Sequence, residues 1–152
     1  ERWDEIKRAE PGRYKKDHSL MDEVQKGLPA LMRAQRQQTL AAGVGFDWDS
    51  VEPVLDKVKE ELAEISEARA KGSPEDVAEE VGDLLFACVN LARHLKVDAE
   101  SALLGCVEKF SRRYRQVERD LAERNMSAEE VDLEYLDALW EKAKKHENPD
   151  KS

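Results

Sequence analysis

Breaks in the helical pattern divide this 152-residue chain into five segments, and no other feature constrains its fold as strongly. Within each segment, apolar residues recur three and four positions apart, as on one face of an α-helix. Glycine and proline are scarce, with seven and five residues, and runs of β-branched residues are few. We therefore predict an all-α fold. The predicted helices cover residues 29–43, 50–70, 74–95, 99–124 and 133–146.

The clearest boundary signals are two capping patterns. Ser73 precedes Pro74, which suits the first position of a helix, and Asp76 stands at the capping-box position. The stretch Ser127–Glu130 has the related Ser-x-x-Glu form. These signals predict a sharp turn before the third helix and another before the last.

Five carboxylates at helical spacing form the most informative chemical pattern. They read E-E-x-x-E, then 15 intervening residues, then E-x-x-D: Glu60, Glu61, Glu64, Glu80 and Asp83. Spacings of three and four positions put carboxylates on one face of a helix. Two such faces packed together would surround a small volume with oxygen ligands, as a divalent cation such as Mg2+ requires.

The surroundings of these acids argue against a simple solvated face. Glu61 falls inside the edge of the apolar stripe of its helix, so it is expected beside the core or paired there. The stretch Leu84–Ala92 is apolar nearly all round, which predicts a third helix buried on most sides. Charged groups entering such a helix need salt bridges or a metal. Gly82 suggests the close approach of a neighbour, and both pairing schemes remain open here.

A basic counterpart lies on the fourth helix. Lys109 and Arg113 share one face at i, i+4, where like charges mildly destabilise a helix. This favours anionic partners, which are either acids of neighbouring helices or phosphate oxygens. Trp140 is most simply a core anchor, and Phe46 and Trp48 are interpreted as loop-to-core anchors. No histidine follows a glutamate by three positions, which argues against a di-iron redox bundle.

Charge and cysteine content restrict the partners and the compartment. The net charge of −9 gives no general reason to bind nucleic acid or an anionic membrane. The longest apolar run, Leu84–Val89, is far too short to span a bilayer. Two cysteines, Cys88 and Cys106, without a secretory signal favour reduced thiols and a cytoplasmic location.

Several motifs in order resemble the MazG family of all-α nucleoside triphosphate pyrophosphohydrolases. The resemblance covers roughly residues 20–146, and its motifs lie at residues 28–35, 44–48, 57–64, 79–86, 89–93, 109–114 and around Trp140. It implies a four-helix-bundle-like MazG domain with an extra C-terminal helix, sharing its core in a homodimer. It also implies that NTPs and dNTPs are hydrolysed to the monophosphate and pyrophosphate, with Mg2+ or Mn2+ as the cofactor, in nucleotide-pool housekeeping.

The resemblance also assigns residues. It implies metal ligation by Glu61, Glu64, Glu80 and Asp83, and Glu60 completes the acidic, catalytic cluster. It implies nucleotide contacts for five further residues: Lys57, Lys109, Arg113, Trp140 and Lys144. Which of Glu60, Glu61 and Glu64 orients the attacking water stays open.

The domain expectation is a linker or N-terminal arm over residues 1–27, a MazG-type domain over 28–146 and a disordered tail over 147–152. Family members often carry two copies of the domain, and this chain looks like the C-terminal copy, which implies an upstream MazG domain as a possible partner. Two alternatives remain: a non-catalytic helical dimerisation or regulatory module, and a narrower dUTP or dCTP pyrophosphatase. A phosphoribosyl-ATP hydrolase shares the metal motif as well.

Overall fold

In the computed structural model, the described residues are 18–147. They form five α-helices: α1 (Ala30–Ala42), α2 (Val51–Lys71), α3 (Pro74–His94), α4 (Ala99–Glu123) and α5 (Leu133–Glu147). Two 3-10 turns, Leu20–Glu23 and Ala128–Glu130, accompany them. No strand occurs between residues 18 and 147, so the predicted all-α fold is confirmed.

The predicted terminal segments fall largely outside the described residues. Positions 1–17 of the expected arm and 148–152 of the expected tail are not described. The rest of the arm contains the turn Leu20–Glu23, which Ser19 caps by accepting a hydrogen bond from the Met21 backbone N–H. The described chain divides into two compact units, residues 18–100 and 101–147, and each is described by itself below.

In the first unit, α2 and α3 form an antiparallel hairpin closed by a tight turn. The Asp76 backbone N–H donates to Ser73 Oγ over 3.2 Å, and the Ser73 backbone N–H donates to Asp76 Oδ2 over 2.9 Å. This is the predicted capping box, with Pro74 in the first turn. At Gly72 an added Cβ would lie 2.8 Å from the Ala68 backbone oxygen, so the turn leaves no room for a side chain.

The core of the first unit is small, and α3 is less buried than the sequence suggests. Val54, Ala87 and Val89 are buried, and α1 packs on α3. Leu85 is 56% exposed and Phe86 45%, so the predicted burial on most sides is wrong for this chain taken alone. An apolar sequence shows that a face needs cover, but not what covers it.

The close neighbour expected at Gly82 is also absent within the described chain. An added Cβ there would meet nothing within 4 Å. Gly82 therefore carries the helix-propensity cost of glycine without a packing reason in these residues.

In the second unit, α4 and α5 enclose a core of Val117, Leu121 and Leu139, with Tyr135 and Trp140 packed against it. The Phe110 ring stacks on Tyr114 with centroids 5.9 Å apart and tilts against Trp140 at 5.2 Å. The predicted role of Trp140 as a core anchor agrees with these contacts.

The thiols and the helix lengths bear on two further expectations. Cys88 and Cys106 are free and exposed, as the prediction of reduced thiols requires. Among the described helices, none combines the length and the apolar character needed to cross a bilayer.

Candidate functional site

The α2–α3 hairpin brings three of the predicted carboxylates together. Glu61 and Glu64 lie one turn apart on α2, and Glu80 faces them from α3. One carboxylate oxygen from each lies within 4.8 Å of the others. Ligand oxygens on opposite sides of Mg2+ are about 4.2 Å apart, because each bond is about 2.1 Å long. The cluster is therefore close to the size of a hexacoordinate site for a hard cation.

Two oxygens of this cluster are buried without a partner. Glu61 is only 5% exposed, and Glu80 is half-buried. Neither Glu61 Oε2 nor Glu80 Oε2 has a hydrogen-bond partner among the described residues. A buried carboxylate oxygen without a partner is costly, and a divalent cation would satisfy both oxygens at once. The residues present therefore fit a metal ion.

The carboxylates of this cluster also repel one another. A hydrogen bond with Glu80, followed by the negative charge of Glu61, raises the pKa of Glu64 to about 7. Like charges held close together disfavour the ionised form, so the metal-free cluster retains a proton near neutral pH. A bound cation would reverse this preference.

Lys57 borders the cluster on the α2 side. Its Nζ lies 3.1 Å from Glu61 Oε1 and 3.3 Å from Glu60 Oε1. These two hydrogen bonds, the one to Glu61 being the stronger, raise the pKa of Lys57. Glu60 is exposed, whereas Glu61 is both buried and paired, as its place at the edge of the apolar stripe suggested.

Asp83 lies outside the three-carboxylate group. It follows Glu80 by one turn on the same side of α3, and it is exposed. Its predicted ligand role therefore rests on its position along the helix rather than on present proximity.

The remaining predicted site residues lie in the second unit, where two of them meet. The Arg113 guanidinium carbon stands 5.8 Å from the centre of the Trp140 ring, and Arg113 Nε donates to Glu147 Oε2 over 2.8 Å. Lys144 Nζ pairs with Glu141 Oε1 at 3.2 Å, and Lys109 is exposed. For Arg113, an acid of a neighbouring helix is thus the partner, which was one of the two alternatives, whereas Lys144 pairs with an acid of its own helix.

A basic groove of about 360 Å³ lies beside Arg113 in this unit. Three further arginines and a histidine line it: Arg112, Arg115, Arg119 and His146. Glu147 also lines the groove, and its carboxylate pairs with Arg112 at 3.6 Å and with Arg113 at 2.8 Å. Guanidinium groups clustered in this way bind carboxylate or phosphate groups.

The first unit holds a larger cavity, of about 570 Å³, which sequence reasoning missed. Phe46 and Trp48 line it instead of anchoring the loop in the core, and they are 83% and 51% exposed. Gln38 and Asn90 contribute polar groups to the wall. The signal in the sequence was two large aromatics in a short Gly-containing loop, which suits a binding surface as well as an anchor.

An ion pair fixes the loop that carries these aromatics. Arg93 donates to both carboxylate oxygens of Asp47, over 2.6 Å and 3.1 Å, and His94 Nε2 lies 2.8 Å from Asp47 Oδ1. The hydrogen bond from Arg93 is the main reason why the pKa of Asp47 lies well below its usual value. Asp47 also accepts a hydrogen bond from the Trp48 backbone N–H at 2.8 Å, which ties the aromatic to the clamp.

Comparison with known proteins places this geometry in context. Residues 49–118 match the family described as the MazG nucleotide pyrophosphohydrolase domain. The chain is 49% identical over 148 residues to an Escherichia coli (strain K12) protein named nucleoside triphosphate pyrophosphohydrolase, covering 96% of this chain and 56% of that protein.

Two further relatives also match nearly the whole of this chain. A Thermotoga maritima protein named nucleoside triphosphate pyrophosphohydrolase/pyrophosphatase MazG is 44% identical over 142 residues, covering 93% of this chain and 54% of that protein. The uncharacterized protein YabN of Bacillus subtilis (strain 168) is 40% identical over 146 residues, covering 95% of this chain and 29% of that protein. The chain thus spans about half the length of the first relatives it matches.

Proposed function

This chain belongs to the MazG family, and on that basis we propose that it hydrolyses nucleoside triphosphates to the monophosphate and pyrophosphate. The observation that carries the proposal is the carboxylate group of Glu61, Glu64 and Glu80, with two buried oxygens lacking partners. The names of the Escherichia coli and Thermotoga maritima relatives support the same reaction class. Turnover of the cellular nucleotide pool is the role that suits this reaction.

We assign the cation to Mg2+, with Mn2+ as a substitute, because all of the candidate ligands are carboxylate oxygens. Glu61, Glu64 and Glu80 would hold it together with Asp83, which stands one turn further along α3. When bound, the cation supplies charge neutralisation on the phosphate oxygens.

The protein's own side chains do the remaining work. A carboxylate of α2 accepts the proton of the water that attacks the α-phosphorus, and Glu60, Glu61 and Glu64 are the candidates. Lys57 already lies 3.1 Å from Glu61, so its ammonium group is close to where the phosphates would bind. Pyrophosphate leaves as the bond from the α-phosphorus to the bridging oxygen breaks.

In the second unit, we assign nucleotide contacts to Lys109, Arg113, Trp140 and Lys144. The support is the resemblance at these positions, together with the pairing of Arg113 and Trp140 across 5.8 Å. Arginine and lysine side chains bind phosphate oxygens through charge-assisted hydrogen bonds. For Arg113 and Lys144 this requires exchange of their acidic partners, Glu147 and Glu141.

Two further proposals concern assembly. Leu62 and Leu85 are each 56% exposed on the hairpin, which favours a homodimer that covers this apolar surface. The relatives extend well beyond the matched region, and we propose that this chain is part of a longer protein with an upstream MazG domain.

The test is product analysis on this chain, using a panel of the common NTPs and dNTPs with Mg2+, with Mn2+ and with EDTA. We expect pyrophosphate and monophosphate in equal amounts with either metal and none with EDTA. Release of orthophosphate would contradict cleavage between the α- and β-phosphates. Turnover that persists in EDTA would contradict the metal assignment.

A further inference from the structure

The cavity of the first unit lies on the same helix as the carboxylates, about a nucleotide's length away. Phe86 and Asn90 line it, and they follow Asp83 on α3 by three and seven positions. These spacings keep all three residues on one side of the helix, and Asn90 lies about 10 Å beyond Asp83 along the axis. A group bound at the carboxylates thus has the cavity within reach.

The chemistry of the cavity wall suits an uncharged, flat group and not a phosphate. Among the described residues that line the cavity, only Asp47 and Arg93 are charged, and these neutralise each other in a two-pronged ion pair. Phe46 and Trp48 offer exposed aromatic surface. Planar aromatic ligands stack on such rings, and every nucleobase has the face required.

The wall also carries a hydrogen-bond acceptor without a partner. Gln38 is only 7% exposed, and its Nε2 donates to the Phe86 backbone carbonyl over 2.9 Å. This bond fixes the orientation of the amide, and Gln38 Oε1 is left buried with no hydrogen-bond partner among the described residues. A buried acceptor in a cavity wall indicates that a ligand donates to it.

A donor accompanies this acceptor. Asn90 Oδ1 accepts from Arg93 Nε at 3.0 Å and from Arg93 Nη2 at 2.9 Å, which turns its amide group so that the oxygen is occupied. Asn90 Nδ2 is then the part of the side chain that is left to donate. The cavity thereby offers one acceptor and one donor.

We propose that this cavity binds the base of the nucleotide whose phosphates lie at the carboxylate cluster, with Trp48 and Phe46 stacking on the base and Gln38 and Asn90 bonding to its edge. This inference rests on the proposed function and deepens it. Each common base carries a donor beside an acceptor on its pairing edge. A wall with one donor and one acceptor can therefore bond to any common base, and selectivity among the bases is low.

The first test detects the base without hydrolysis. The chain has three tryptophans, Trp3, Trp48 and Trp140, so its 15N spectrum holds three indole N–H signals, which Trp48→Phe and Trp140→Phe assign. Adenosine and cytidine, which lack phosphates, are titrated into the protein in EDTA. We expect the Trp48 signal to shift with both nucleosides. A shift confined to Trp140 or Trp3, or no shift up to millimolar nucleoside, would overturn the inference.

The second test distinguishes binding of the base from binding of the phosphates during turnover. Trp48→Ala and Gln38→Met should raise KM for NTPs about tenfold, a typical effect of losing one stacking or buried polar contact. Inhibition by tripolyphosphate, which has no base, should keep its Ki. A parallel rise in that Ki, or an unchanged KM, would overturn the assignment.

A matched control lies one turn away on α1. Gln35 bonds to the Val97 carbonyl at 3.1 Å and the Ala99 N–H at 2.9 Å, and it does not line the cavity. Gln35→Met likewise replaces a hydrogen-bonded glutamine of α1 with methionine, so it should lower stability and leave KM unchanged. If the wild-type chain released no pyrophosphate, the proposed function would fail, and the nucleoside titration would still decide the base site.

Discussion

Arg93 holds the Asp47 carboxylate with both ends of its guanidinium group, at 2.6 Å from Oδ1 and 3.1 Å from Oδ2. The two residues lie 46 positions apart, and the side chains of Arg93 and Asp47 are 16% and 27% exposed. This pair fastens the loop that carries Phe46 and Trp48 to α3, so the aromatic side of the cavity depends on one charge pair.

Asp47→Asn should release this loop. Losing a charge-assisted, two-pronged bond at a shielded site should lower the free energy of unfolding by about 1–2 kcal/mol. KM for NTPs should rise while the Ki of tripolyphosphate stays the same, because the loop positions the base site alone. Urea unfolding and steady-state kinetics measure both effects. Asp49→Asn, in the same loop, is the control, and an equal loss of stability there would contradict the assignment.

Glu61→Gln should abolish hydrolysis and leave the fold intact. The amide keeps the volume of the side chain but removes a ligand charge, so turnover should fall at least about 100-fold. Pyrophosphate release and circular dichroism provide the measurements. Glu67→Gln makes the same change at an exposed position two turns along α2, and it should keep wild-type turnover. Near-normal activity of Glu61→Gln would refute the metal assignment.

The raised pKa of Glu64 predicts how the metal-free protein responds to pH. Because this pKa is about 7 in the folded chain and near 4.5 when unfolded, the folded state binds more protons between these values. Stability in EDTA should therefore fall as pH rises from about 4.5 to 7. The affinity for Mg2+ should rise over the same range, because the cation displaces the proton.

Melting temperatures in EDTA across this range, with calorimetric titration of Mg2+ at each pH, measure both trends. Glu64→Gln should flatten the stability trend, whereas Glu67→Gln should preserve it. A stability that rises with pH over this interval would show that the carboxylates do not share a proton.

Lys109→Ala should weaken binding of the triphosphate. Removing one ammonium contact to a phosphate should raise KM roughly tenfold, since charge-assisted hydrogen bonds are among the stronger ones. Steady-state kinetics are compared with those of Lys142→Ala, an exposed lysine of α5. Unchanged KM and kcat in Lys109→Ala would assign Lys109 a purely structural role.

Two glycines of the hairpin should respond to alanine in opposite directions. At Gly72 the added methyl would meet the Ala68 carbonyl at 2.8 Å, so Gly72→Ala should destabilise the protein by about 1–3 kcal/mol. At Gly82 the methyl meets nothing within 4 Å, so Gly82→Ala should stabilise α3 by about 1 kcal/mol. Urea unfolding separates the two, and destabilisation by Gly82→Ala would reveal a neighbour at that surface, such as a second copy of the chain.

The sequence predicted the helices well because their boundaries are local. Ser73 and Asp76 form the predicted capping box, and the predicted ends of α2 and α3 lie within one residue of those observed. The meeting of Glu61, Glu64 and Glu80 followed from helical spacing and a short turn. Such features need no knowledge of distant contacts.

The cavity was not predictable because its parts come from separate elements. Gln38 is a residue type usually found exposed, and only the fold reveals that its oxygen is buried without a partner. From the sequence, Phe46 and Trp48 suit an anchor in the core as well as the wall of a binding cavity, since a sequence does not show which side of a loop meets the core. Contacts 40 or more positions apart, such as that between Asp47 and Arg93, decide the matter.

The three clustered carboxylates come from a single hairpin, with Glu61 and Glu80 only 19 positions apart. Contacts this local form early when a chain folds. Their repulsion therefore acts on the folding rate as well as on the finished site, because the hairpin has to close against its own charges. A divalent cation bound by these carboxylates would offset that repulsion, so we expect the proposed metal ion to speed closure of the hairpin that holds it.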